Sequence, residues 1–196
     1  MTAKFDLVIV GVGGQGTLLA SKILGLAALN TDCAVKVSEV HGMAQRGGSV
    51  ITHVRVGDRV HAPLVSQGQA DYVVAFEELE AARAASFLKQ DGLMIVNSQQ
   101  IMPMPVILGA AEYPQGLLDT LRAKHRVEAM DALALAEQAG SMRAVNLVLM
   151  GALSRHLPWN ESVWEDAVGA CVPKKTLEIN LRAFRSGRNA LEAQEE

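Results

Sequence analysis

The chain has 196 residues and a formal net charge of −3, from 18 basic and 21 acidic side chains. Hydrophobic residues make up 49% and aromatic residues 4%, so the core is aliphatic. With no basic excess and little aromatic surface for base stacking, the composition argues against nucleic-acid binding, and no apolar run reaches the ~18 residues of a membrane span.

The length suits one domain over residues 1–196, long enough to bury most of its apolar surface in a single core. "FDLVIVGVGG" lacks the basic start and small-residue cleavage site of a signal peptide, so a cytoplasmic location is expected. There are two cysteines, Cys33 and Cys171. An iron–sulfur cluster or a structural zinc needs about four ligands. The two thiols therefore read as small hydrophobes, and any electron transfer has to run through another chain.

In chain order, "FDLVIV" (5–10) predicts a buried strand and "TLLASKILGLAALN" (17–30) a helix closed by a left-handed Asn30. "CAVKVSEV" (33–40) predicts a second strand, which makes the opening a parallel βαβ unit. "ITHVRV", Gly57-Asp58 and "RVHAPLV" predict a hairpin whose second arm is pushed to a sheet edge by Pro63. "ADYVVAF" (70–76) predicts a strand and "EELEAARAASFL" (77–88) a helix with its acids toward the positive end of the dipole. Strands follow at 93–97, 105–110 and 126–132, with a helix from Pro114 to about Lys124. The C-terminal third is helical. One helix ends on Gly140, an all-round apolar one spans 143–156 and one is capped by Asn160. The last starts near Pro173 with Gly187 past its end, and an acidic tail frays after it. The alternation predicts a three-layer α/β fold with a mostly parallel mixed sheet and a helical C-terminal third.

"GVGGQG" (11–16) fits G-x-G-x-x-G through Gly11, Gly13 and Gly16, between a strand and a helix. In that setting the helix N-terminus offers amides to an anion. Thr17-Leu18 replaces the Lys-Ser/Thr of a P-loop, which argues against an NTPase. Glu39 stands where a dinucleotide site places its ribose-binding acid, so a nicotinamide- or flavin-dependent enzyme is one reading. A tight turn without ligand is another. The second glycine-rich stretch, "SEVHGMAQRGGSV" (38–50), starts at the end of the second strand and should lie beside the first. Its His41, Gln45 and Arg46 are candidates near a reacting site, and Gly47 and Gly48 permit close backbone approach. Asn146, alone in an apolar helix, calls for a hydrogen bond to a neighbouring loop. Trp159 and Trp164 read as packing residues. Lys174, Lys175, Arg182, Arg185 and Arg188 read as a solvated basic face.

In order, "GVGGQG", "SEVHGMAQRGGSV", "ADYVVAFEELEAAR", "RAVNLVLMGALSR" and "VPKKTLEINLRAFRSG" resemble the gamma subunit or domain of 2-oxoacid:ferredoxin oxidoreductases, and within it the beta subunit of the indolepyruvate type. The resemblance spans nearly the whole chain. It implies a cofactor-poor subunit, inactive alone, of a complex that converts a 2-oxo acid, coenzyme A and oxidised ferredoxin to acyl-CoA, carbon dioxide and reduced ferredoxin. Thiamine diphosphate, Mg and iron–sulfur clusters are then expected in a partner alpha subunit, with ferredoxin as acceptor and coenzyme A as co-substrate. It implies a binding role for Gly11, Gly13, Gly14, Gln15, Gly16, Thr17, Gly47 and Gly48, and near-site roles for His41, Gln45 and Arg46.

Overall fold

The computed structural model describes residues 3–42 and 47–190. Its strands are β1 (Phe5–Val12), β2 (Ala34–His41), β3 (Ser49–Gly57), β4 (Ala70–Ala75), β5 (Leu88–Asn97) and β6 (Arg126–Met130). They form one sheet in the order β2-β3-β1-β4-β5-β6. β1, β4, β5 and β6 run parallel, and β3 lies antiparallel between β2 and β1.

Alternation within the strands builds two cores. Phe5, Leu7 and Ile9 of β1, Val74 of β4 and Ile95 of β5 face one side. Val8, Val10, Val73, Met94 and Val96 face the other. The first side is covered by α1 (Thr17–Leu29), α5 (Ala132–Gln138), α6 (Val145–Ser154), α7 (Glu161–Cys171) and α8 (Leu177–Asn189). The second is covered by α2 (Glu78–Ala84) and α4 (Leu117–Arg122). A one-turn helix, α3 (Met104–Ile107), lies between β5 and α4. The result is the three-layer α/β fold with a mixed sheet that the sequence predicts. Among the described residues no helix is long and apolar enough to cross a membrane.

Several local expectations are corrected. The hairpin is formed by β2 and β3, not by residues on either side of Gly57. β3 already has neighbours along both edges, so residues 59–65 find no open edge and stay outside the sheet. The first two strands are parallel, but β3 separates them. Residues 105–110 form no strand. Pro103 caps α3, and the Pro105 carbonyl accepts the amides of Ala110 and Ala111, which coils the segment on itself. The left-handed residue after α1 is Asp32 (φ 57°), not Asn30 (φ −66°), because the Cys33 amide and the Thr31 hydroxyl close the helix on the Ala28 carbonyl. The helix expected from Pro114 starts at Leu117, behind a left-handed Gly116.

Gly187 does not end the last helix; it lies inside α8, facing α6. A Cβ there would stand 1.9 Å from the Val148 carbonyl oxygen, and one on Gly151 would stand 1.9 Å from that of Phe184. The two glycines let α6 and α8 pack backbone to backbone. Trp164, fully buried, sits beside Phe184 and Trp159 and seals this contact. The basic face of α8 is tied into the chain. Arg185 pairs with Glu165 and Glu161, Arg188 donates to Ser154, and Arg182 donates to the Ala139 carbonyl.

Gly151→Ala and Gly187→Ala should each cost more than the ~1–3 kcal/mol of ordinary overpacking, read from denaturation midpoints. Gly25→Ala, inside α1 with the nearest atom 4.0 Å from a new Cβ, should instead stabilise by up to ~1 kcal/mol. A second prediction concerns His53 on β3. It is buried, accepts the Val65 amide at Nδ1 (3.3 Å) and meets the Phe87 ring edge-on. Burial lowers its pKa from the ordinary 6.5. As pH falls the unfolded chain takes up this proton first. The stabilisation is therefore complete above about 6.5 and is lost as pH drops through the lowered native value. Unfolding midpoints should fall on acidification, and His53→Gln should flatten part of that fall; an unaltered slope would exonerate His53.

Candidate functional site

β1 runs directly into the first glycine turn, and α1 leaves it from a left-handed Gly16 (φ 88°). The antiparallel register of β1 and β3, with Gly11 opposite Val50 and Val12 opposite Ser49, carries the second glycine turn over the first. There the Gly13 amide donates to the Gly48 carbonyl (2.8 Å), and the Gly47 amide lies 3.4 Å from the Gly13 carbonyl. The two glycine segments are thus one unit.

Side chains hold this unit from below. Gln15 turns inward: its Oε1 accepts the Val12 amide (2.7 Å) and its Nε2 donates to the Phe76 carbonyl (3.0 Å). Gly11 makes room for this, since a Cβ there would fall 3.0 Å from both Gln15 Oε1 and Phe76 Cβ. Asn97 also donates to the Phe76 carbonyl and accepts the Ala132 amide, which links the start of α5 to β4. Asn146 donates to the Gly16 carbonyl (3.4 Å), the loop contact expected of it.

Three buried carboxylates at the head of α2 extend the scaffold. Glu77 caps α2 through the Glu80 amide, accepts the Ile101 amide (3.1 Å) and accepts the Tyr113 hydroxyl. Burial, then the bond to Glu77, pushes the Tyr113 pKa upward, so the phenol stays protonated and keeps donating. Glu78 accepts from Gln100 (2.9 Å). Glu80 accepts from Ser49 (2.5 Å), the residue after the second glycine turn, and from Arg83. Sequence reasoning placed these acids as companions of a helix dipole. It missed that they anchor loops, because the donors lie in distant segments whose approach depends on the sheet order.

Two recesses flank the first glycine turn. One, of about 360 Å³, is lined by Gly13, Gly14, Gly16, Thr17, Leu18, Glu39, His41 and Val50. The other, of about 460 Å³, lies on the α5–α6 side and includes Gly14, Gln15, Gln99, Met142, Arg143 and Asn146. His41 is exposed, with Nδ1 3.1 Å from the Gly42 carbonyl. Gln45 and Arg46 lie outside the described residues. Glu39 meets Thr52 (3.3 Å) across the β2–β3 pair. With β3 interposed, Glu39 stands two strand spacings from β1, roughly 9.5 Å rather than 4.8 Å. The glycine that would let a diphosphate approach is itself engaged by the Gly48 carbonyl. What the site offers is chiefly backbone amides in the first turn of α1, which have no acceptor within the helix. Among the described residues no group of three or more His, Cys, Asp or Glu side chains could hold a metal ion.

Comparison with known proteins agrees over the whole fold. The family described as pyruvate ferredoxin/flavodoxin oxidoreductase matches residues 6–190. Indolepyruvate oxidoreductase subunit IorB of Thermococcus kodakarensis is 42% identical over 195 residues, covering 95% of this chain and 96% of that one. The gamma subunit of a keto/oxoacid ferredoxin oxidoreductase from Geobacter sulfurreducens superposes with a TM-score of 0.70 at 23% identity, covering 96% of this chain and 99% of that one. The 2-oxoglutarate:ferredoxin oxidoreductase of Magnetococcus marinus, solved with 2-oxoglutarate, coenzyme A and succinyl-CoA bound, gives a TM-score of 0.73 at 18% identity. There the match covers 98% of this chain but 32% of the longer one. With the family matching residues 6–190 and a relative 42% identical almost end to end, the chain belongs to the pyruvate ferredoxin/flavodoxin oxidoreductase family.

Proposed function

We propose that the chain, as one gamma-type domain over residues 1–196, is the cofactor-poor subunit of an arylpyruvate-type 2-oxoacid:ferredoxin oxidoreductase. The observation that carries this reading is the Gly13–Gly48 bond. It joins the two glycine turns into one open wall beside the amides of the first turn of α1, and a wall needs a second polypeptide to become a pocket. The relative at 42% identity is named as a subunit of indolepyruvate oxidoreductase, which supports the substrate class and the partner.

In this reading the alpha subunit holds thiamine diphosphate, Mg and the iron–sulfur clusters, and ferredoxin takes the electrons. The present donor set does not fit a cluster, with two cysteines where about four thiolates are needed. This chain instead binds and orients coenzyme A and keeps water from the joined site. Its phosphates would take the amides at the start of α1. Arg143 lines the recess on the α5–α6 side and Glu39 the other, so electrostatics favours the Arg143 side for an anion. The competing dinucleotide reading draws on Glu39 beside Gly13, but the interposed β3 and the engaged Gly13 amide weigh against it.

The test is kinetic. The isolated chain should not turn over 2-oxo acids, and with its alpha subunit it should reduce ferredoxin only when coenzyme A is present. Gly16→Ala puts a Cβ at a left-handed position 2.9 Å from Asn146 Nδ2. In the complex it should raise the coenzyme A KM about tenfold, equivalent to ~1.4 kcal/mol. Arg143→Ala should act in the same direction and Glu39→Ala should not. Turnover by the lone chain, or micromolar NADH binding to it, would refute the proposal.

A further inference from the structure

The segment between β5 and α4 holds four exposed large hydrophobic side chains within seven residues. Met104, Ile107 and Leu108 are 60%, 63% and 73% exposed, and Met102 is exposed beside them. From Ser98 to Ala111 the sequence holds no charged residue. A soluble surface rarely leaves such a patch bare unless something covers it.

This patch is held in place rather than left loose. Its entry is fixed by the Ile101 amide on Glu77 and its exit by the Tyr113 hydroxyl on the same carboxylate. Between them the amides of Val106 and Ile107 bond to the Pro103 carbonyl, and those of Ala110 and Ala111 bond to the Pro105 carbonyl. Glu77 is 1% exposed and Tyr113 5%. A buried carboxylate thus holds both ends of an apolar knob. Preorganisation of this kind reduces the entropy lost when a surface docks.

We infer that residues 101–108 form a docking knob for the catalytic alpha subunit, which meets it with an apolar, charge-poor surface beside its own active-site mouth. The inference rests on the functional reading above. Continuity selects this occupant over a second copy of the chain. Gln99, two residues before the knob, lines the same recess as Gly14, Gln15 and Arg143, so a partner that closes the recess also reaches the knob. Exposed Leu18 and Met142 line the two recesses and continue the apolar rim around the start of α1. The Magnetococcus marinus chain, of which this fold is 32%, shows that such a unit can be joined to a much larger polypeptide.

The experiment uses the full chain and its alpha subunit. Ile107→Asp combined with Leu108→Asp alters only exposed side chains, so the isolated variant should keep its wild-type unfolding midpoint. Its affinity for the alpha subunit, measured by titration or co-purification, should fall at least 100-fold. Leu29→Asp, exposed at the far end of α1, should bind as wild type. Wild-type affinity in the double variant would overturn the docking assignment. So would light scattering that shows the isolated chain to be a dimer which the double variant converts to monomer. If the wild-type chain itself does not bind the alpha subunit, the functional reading fails rather than the location of the knob.

Discussion

The Gly13 amide proton on the Gly48 carbonyl governs the kind of recess this fold can offer. In many α/β proteins the bare backbone after the first strand receives a ligand's diphosphate. Here a second turn of the same chain has moved into that position. It can do so because β3 runs antiparallel against β1 with Val12 opposite Ser49, so that the turn preceding β3 arrives over the turn following β1. Register and turn contact are therefore one constraint. A slip by one residue would also turn Val54 and Val56 away from the face that α1 covers and put the polar His53 there.

The buried acids of α2 are the second tier of the same construction. An ionised carboxylate in the interior is tolerated only when its oxygens are well supplied with donors. Glu77 receives two backbone amides and a phenol, and Glu80 a serine hydroxyl and a guanidinium. Three of these donors, the Ile101 amide, the Tyr113 hydroxyl and the Ser49 hydroxyl, come from segments outside α2. The carboxylates convert burial, which is unfavourable for them alone, into fixed positions for the loops around them.

Much of this was legible from the residues. The continuous apolar runs of β1, β4 and β5 and the glycine turn between β1 and α1 announce a parallel sheet, and a lone amide in the apolar α6 announces a loop brace. Three of the failures share a cause: each depended on a neighbour that the sequence does not identify. Gly57-Asp58 has the chemistry of a hairpin turn, but β3 was already flanked. Gly187 has the chemistry of a helix end, but its missing side chain serves the approach of α6. The acids after β4 could be placed on a helix by inspection. Their role required knowing that residues 49, 101 and 113 return to that helix.

The insertion of β3 also shapes how the protein is made. β1 precedes both of its partners, β3 and β4, in the chain, yet it ends in the interior of the sheet. Phe5 has to wait for Val56 on one side and Val10 for Ala75 on the other. Until both have been made, β1, apolar apart from Asp6, has no native strand beside it and is exposed to mispairing.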